Sequence, residues 1–342
     1  MKKHRLMCVL VAILILSLPL FGGGKAERQE SLIVYAYDAF TGDWGPGPAL
    51  VQAYEAATGI PVQLVGSGDA VAMMSRLIAE GKNTRADVVV GITDDMVKRI
   101  LDTDLLISYE SELLAKIPSF LQFDETNRLL PFDYSNYAFI VDSERLERAQ
   151  WPTSLESLAD PQYKNKIILI DPRTSSVGLG LLLWSIEHFG EGQWLNWWQA
   201  MKQNALTITD GWSSAYGLFT EGEAPLVISF TTSPVYHVLN EESTRYQALI
   251  FDEGHQVTIE GVGILATSKR QDEAKRFVDY LLSEAQLDIA IANSMYPTNA
   301  DVQLPAVFDW APKPTRSISM DPERIAQHLD RWLEEWTEVM SR

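Results

Sequence analysis

Asp87-Val88-Val89-Val90-Gly91-Ile92 sets the architecture of this chain. Apart from its opening acid the run is unbroken and apolar, and β-branched at four of six positions. That is the pattern of a strand buried on both faces, as in a parallel sheet covered by helices. Upstream, Leu32-Ile33-Val34-Tyr35-Ala36-Tyr37 is a second such run, closed by the turn-rich cluster Asp38 to Pro48. Pro46 or Pro48 then opens a helix with Leu50, Tyr54 and Ala57 on one face and Gly59 as its stop. Val62-Gln63-Leu64-Val65 follows as a strand, and after it a helix capped by Asp69 and ended by Gly81. Three β-α units in succession predict an open α/β sheet whose ligand chemistry lies beyond the C-terminal ends of its strands. Further strands are expected at residues 137–141, 167–171, 226–230 and 262–267, with helices over 179–189 and 193–201. A C-terminal helix over 321–340 should bury Ile325, Leu329, Trp332, Leu333 and Trp336.

The chain has 342 residues, 46% of them hydrophobic and 22% charged. This suits one large or two modest domains with a real core and argues against disorder. A net charge of −18 disfavours nucleic acid, since phosphate neutralisation needs a basic surface; an acidic field favours cationic partners. The first 26 residues read as a secretory signal: Lys2, Lys3 and Arg5, an apolar run from Leu6 to Phe21, then small residues. The alternative is an uncleaved membrane anchor. Removing the segment takes away four basic residues and no acidic ones, so the mature charge becomes −22. It also removes Cys8, the only cysteine. A thiol-free mature chain can have no disulfide, no cysteine-ligated metal and no cysteine nucleophile. Export of such a chain fits a bacterial periplasm.

The informative residues sit where strands give way to loops. In Asp38-Ala39-Phe40-Thr41-Gly42-Asp43-Trp44-Gly45 the indole of Trp44 either covers the sheet end or is offered to a stacking ligand. Asp171-Pro172-Arg173-Thr174-Ser175-Ser176 ends a strand and opens a helix. Its hydroxyls, its arginine and free N–H groups suit a phosphate or another anion, although Ser175 or Ser176 could simply cap the helix. Gly211-Trp212-Ser213-Ser214-Ala215-Tyr216 and Ser229-Phe230-Thr231-Thr232-Ser233-Pro234-Val235-Tyr236 place aromatic rings and hydroxyls just past strands. Rings beside carboxylates suit a flat, cationic heterocycle through stacking and cation–π attraction; singly, Phe230 or Tyr236 could be ordinary half-buried residues. His188, His237, His255 and His328 are scattered without metal-ligand spacing, and no GxSxG elbow presents a serine. Neither a metal, a cofactor nor catalysis is expected.

Together, Asp43-Trp44-Gly45-Pro46-Gly47-Pro48, Pro131-Phe132-Asp133-Tyr134, Asp171-Pro172-Arg173-Thr174-Ser175, Ala215-Tyr216-Gly217-Leu218-Phe219 and Met295-Tyr296-Pro297 resemble the periplasmic thiamine-binding proteins of bacterial ABC importers. The resemblance runs from about Leu32 to the C-terminus. It implies a type II periplasmic-binding fold: two α/β lobes, hinge crossings and a ligand in the cleft, with lobe 1 at 27–132 plus 262–342 and lobe 2 at 133–261. It also implies that Tyr37, Trp44, Asp69, Trp212 and Tyr236 surround the ligand; Asp38, Tyr216 and Phe230, in the same loops past the strands, are expected to join them. Arg173, Thr174, Ser175 and Ser176 would receive the tail of a phosphorylated form. The expected partners are thiamine, its mono- or diphosphate and a membrane permease, with the receptor acting as a monomer. Chemistry agrees, because a permanently cationic thiazolium suits an aromatic cage, and Asp69 could accept from the aminopyrimidine. Two positions depart from the family pattern: Phe230 stands in place of a tyrosine, and Ser294 in place of a tryptophan. Relatives of this fold also bind ferric ion or polyamines. Iron needs adjacent tyrosines, whereas Tyr236 is followed by His237; a polyamine binder is the nearer rival. A thiamine-degrading transferase would need the cysteine that the mature chain lacks.

Overall fold

A computed structural model describes residues 30–341; the expected signal segment and Cys8 lie outside the described residues. The elements that position the site are β1 (Leu32–Ala36), α1 (Pro46–Thr58), β2 (Val62–Gly66), α2 (Ala70–Glu80), β3 (Val88–Thr93), β4 (Leu130–Asp142), β5 (Ile167–Ile170), α3 (Ser176–Phe189), α4 (Trp194–Asn204), β6 (Ala205–Thr209), α5 (Trp212–Thr220), β7 (Leu226–Phe230), α6 (Pro234–Glu241), β8 (His255–Leu265), α7 (Gln271–Leu282), α8 (Gln286–Asn293) and α9 (Pro322–Ser341). None of the described helices is long and apolar enough to cross a membrane.

The main strand order is β2-β1-β3-β8-β4-β7-β5-β6. The outer wings, β2-β1-β3 and β7-β5-β6, are parallel within themselves. Between them β4 and β8 run antiparallel to each other and to their neighbours. One half of β4 pairs with β8 through residues 130–136, and the other pairs with β7 through 137–141. The lobe boundaries expected after residues 132 and 261 fall inside these two long central strands.

β3 is buried along its whole length, as its apolar run requires. Val88 and Val90 enter one apolar cluster while Val89 and Ile92 enter another, so alternate side chains fill cores on opposite faces. α1 begins at Pro46 and ends at Gly59, whose φ of 71° is the left-handed geometry that glycine adopts without Cβ strain. Leu50 and Tyr54 of α1 are buried, but Ala57, expected on the same face, is exposed. The strands expected at 137–141 and 262–267 begin seven residues earlier, at Leu130 and His255. Asp133, Ser135 and Asn136 in β4, and His255, Gln256, Thr258 and Glu260 in β8, are buried polar residues that break the apolar signature.

The tryptophan stripe of α9 packs inward as its spacing predicted, with Trp332 and Trp336 buried and Leu333 half-buried. Trp336 lies edge-on to Trp198 of α4 at 5.7 Å and 86°. The Trp198 indole N–H donates to Ser185 Oγ of α3 at 2.9 Å, tying three helices together. Trp198→Ala should therefore cost about 3–5 kcal/mol of unfolding free energy, the range for emptying a large buried aromatic site. Urea unfolding tests this; a loss below about 1 kcal/mol would mean that the α4–α9 seam is not part of the cooperative core.

Candidate functional site

Where the two wings meet, the structure forms a cavity of about 320 Å³, within the range of about 300–1,000 Å³ common for small-molecule pockets. Tyr37, Trp44, Asp69, Ser176, Trp212, Tyr216, Phe230 and Tyr236 all contribute to its wall. Asp38, Arg173, Thr174 and Ser175 do not line it.

The aromatic side is a layered stack. Trp212 opens α5 and lies on Tyr216 one turn later at 4.9 Å and 21°. Trp44 reaches over from the loop before α1 to within 5.8 Å of Trp212, tilted by 48°, and stays 49% exposed. Its ring is thus offered to the cavity mouth rather than spent on covering the sheet end. Phe230 completes the layer at 6.4 Å from Trp212 and stacks on Tyr137 at 5.5 Å. The Trp212 ring is held in place by its indole N–H, which donates to Ser229 Oγ at 2.7 Å. Behind Tyr216, whose hydroxyl meets His237 Nε2 at 2.9 Å, the Nδ1 of His237 meets Glu241 at 2.8 Å. Burial holds the His237 pKa down and the Tyr216 pKa up.

Asp69 caps α2 and also reaches across the cavity. One carboxylate oxygen accepts from Ala70 N at 2.6 Å and Ser176 N at 3.2 Å; the other accepts from Ser175 Oγ at 2.8 Å and Trp212 N at 2.9 Å. Four donors use its full acceptor capacity. The anion at the N-terminal ends of α3 and α5 is therefore supplied by the protein itself. Burial nonetheless raises the Asp69 pKa, with the donors from Trp212 and Ser175 opposing that effect. The neighbouring loop is also engaged. Arg173 is paired with Asp171 at 2.5 Å and lies over the Trp336 ring at 5.5 Å, and Thr174 Oγ1 donates to the Asp210 carbonyl at 2.6 Å. Asp38 accepts from the next backbone N–H.

The structure adds residues that the sequence patterns did not single out. Glu260 of β8, together with Asn293 and Ser294 at the end of α8, lines the cavity opposite the aromatic stack. Asp133 of β4 is the register partner of Glu260 and is fully buried behind it. Asn293 Nδ2 donates to Tyr37 Oη and to Asp133 Oδ2, both at 3.0 Å. Ser294, at a departure from the family pattern, has a left-handed φ of 51° and a buried hydroxyl without a partner. The only signal for Glu260 was an acid inside an otherwise β-rich run, Val257-Thr258-Ile259-Glu260.

Residues 49–316 match the family described as bacterial extracellular solute-binding protein. The chain is 39% identical to the thiamine-binding periplasmic protein of Salmonella typhimurium, over 96% of this chain and 98% of that one. The protein of the same description from Escherichia coli is 38% identical, over 91% and 94%. A solved periplasmic thiamin binding protein superimposes with a TM-score of 0.87 at 37% identity, covering 93% of this chain and 98% of that one.

The chain belongs to the bacterial extracellular solute-binding protein family.

This solute-binding protein has the type II periplasmic-binding fold. Its unusual feature is electrostatic: two buried carboxyls face each other with no arginine or lysine paired to either among the described residues. Burial raises both pKa values, and Asp133 makes Glu260 harder still to ionise. A raised folded-state pKa gives stability that is complete below the unfolded pKa and is lost as pH rises. Relative to wild type, Glu260→Gln should therefore gain unfolding free energy as pH rises from the ordinary glutamate value of 4.5 to neutrality. Urea unfolding of both proteins at the two ends of that window checks it; a difference independent of pH would refute the raised ionisation.

Proposed function

We propose that this chain is a periplasmic receptor that captures thiamine and delivers it to the permease of an ABC importer. The observation that carries the reading is the Trp44–Trp212–Tyr216 stack facing buried carboxyls across one cavity. A permanently cationic thiazolium gains from π-faces in a partly desolvated site, on the order of 1–2 kcal/mol per good contact. The close relatives carry thiamine in their descriptions. Members of the family act as carriers, and nothing in this site calls for a reaction.

The two halves of the sheet are proposed to act as the lobes expected from the sequence, turning about β4 and β8 to open and close the cleft. Asp69 supports this reading: its carboxylate joins the start of α2 on one side to the starts of α3 and α5 on the other. Thiamine mono- and diphosphate remain within the proposal. Their tails would lie toward Ser176, sharing with Asp69 the donors at those helix ends. The receptor is proposed to work as a monomer, exported by the N-terminal segment.

Isothermal titration with thiamine, its monophosphate and spermidine tests the ligand. Heat with thiamine and none with spermidine is expected; the opposite pattern would replace thiamine by a polyamine. Trp212→Ala should weaken thiamine binding by about ten- to a hundredfold, the loss of a stacking face together with a desolvated cation–π contact. An unchanged affinity would make Trp212 a purely structural residue.

A further inference from the structure

The cavity has two ends of different chemistry, and only one leaves a buried carboxyl oxygen of its wall without a hydrogen-bond partner. At the aromatic end the Trp212 indole N–H, the Tyr216 hydroxyl and both oxygens of Asp69 already have partners, while the Ser213 hydroxyl is buried without one. At the other end Glu260 is 7% exposed and lines the cavity, and its Oε2 has no hydrogen-bond partner in the protein. Asp133, directly opposite it in the β4–β8 register, leaves Oδ1 without a partner as well. An unpartnered buried carboxyl oxygen leaves its desolvation uncompensated. Such an arrangement makes sense where a ligand supplies what the protein withholds. Tyr37 and Asn293 flank Glu260 and fix the geometry of this end.

We infer that Glu260 is the residue that reads the ligand's aminopyrimidine, as a neutral carboxylic acid whose hydroxyl donates to a ring nitrogen while its other oxygen accepts from the adjacent amine. The inference rests on the thiamine reading and assigns that ligand an orientation, thiazolium in the Trp44–Trp212 stack and aminopyrimidine at the β4–β8 crossing. It also moves the polar contact from Asp69, whose four acceptor positions are filled, to a carboxyl with one to spare. No proton has to leave the site: the acid keeps it and shares it through the hydrogen bond. Burial and the facing Asp133 favour that neutral form, and the Tyr37 hydroxyl beside it opposes them. Asp133 itself, absent from the cavity wall, is a positioning residue that keeps Glu260 protonated.

The test pairs two substitutions, each confirmed as folded by circular dichroism and titrated with thiamine by calorimetry. Glu260→Met keeps most of the side-chain volume and removes both polar functions; it should weaken binding by about ten- to a hundredfold, the worth of one or two buried hydrogen bonds. Glu260→Gln keeps a neutral donor and acceptor in nearly the same place and should stay within about fivefold of wild type, since it loses no hydrogen bond. A merely structural role would not give this rescue. If Gln is as damaging as Met, Glu260 acts through negative charge and the inference is overturned. If Met binds like wild type, Glu260 does not touch the ligand, and the inference fails while the thiamine reading stands. Should Met fail to fold, Glu260→Ala takes its place with the same expected loss. Wild-type protein that binds no thiamine overturns both the reading and the inference.

Discussion

The arrangement of the cleft depends on one carboxylate. Asp69 sits at the start of α2 and accepts four hydrogen bonds, one from its own helix and three from the starts of α3 and α5. Three helix N-termini, each with unsatisfied backbone donors and a positive dipole end, converge on a single buried anion. That convergence brings Trp212 over the cavity beside Trp44, because Trp212 N is itself one of the donors.

Those two strands set the other wall. Running through both halves of the sheet, they have to be buried, yet they carry acids, amides and hydroxyls where an ordinary core strand would carry valine. Asp133 and Glu260 lie opposite each other in register, with no positive charge to compensate among the described residues. A fold tolerates such a pair when the position serves binding more than stability. Gly91 of β3 shows the same close tolerance: with φ at +96°, a Cβ there would stand 2.2 Å from the Tyr37 ring. Only glycine leaves room for the tyrosine that faces Glu260.

Much of the fold was legible in the residues. The continuous run at 88–92, the Pro46–Gly59 helix and the tryptophan spacing of α9 carry local signals of period and capping, and these signals survive into the structure. The crossing strands were seen only in their apolar halves, since their buried polar stretches imitate loops. At the site, the aromatic residues stood out because rings beside glycines after strands are rare in ordinary loops. Glu260 did not: what distinguishes it is its long-range pairing with Asp133 and the emptiness of its acceptor, and neither leaves a trace in local sequence. Arg173, Thr174 and Ser175 were conspicuous for the opposite reason. Their donor chemistry is real, but Arg173 spends it on Asp171 two residues away, and Thr174 and Ser175 on Asp210 and Asp69, which only the tertiary structure brings near.

The reading as a whole joins a π-face for a cation to a neutral acid for an aminopyrimidine, on opposite walls of one cleft. A crystal structure of the thiamine complex tests this most directly. The account predicts the thiazolium within ring contact of Trp44 and Trp212, and the exocyclic amine within hydrogen-bonding distance of Glu260. Thiamine bound with its amine on Asp69, or held outside the cavity between the wings, would contradict it.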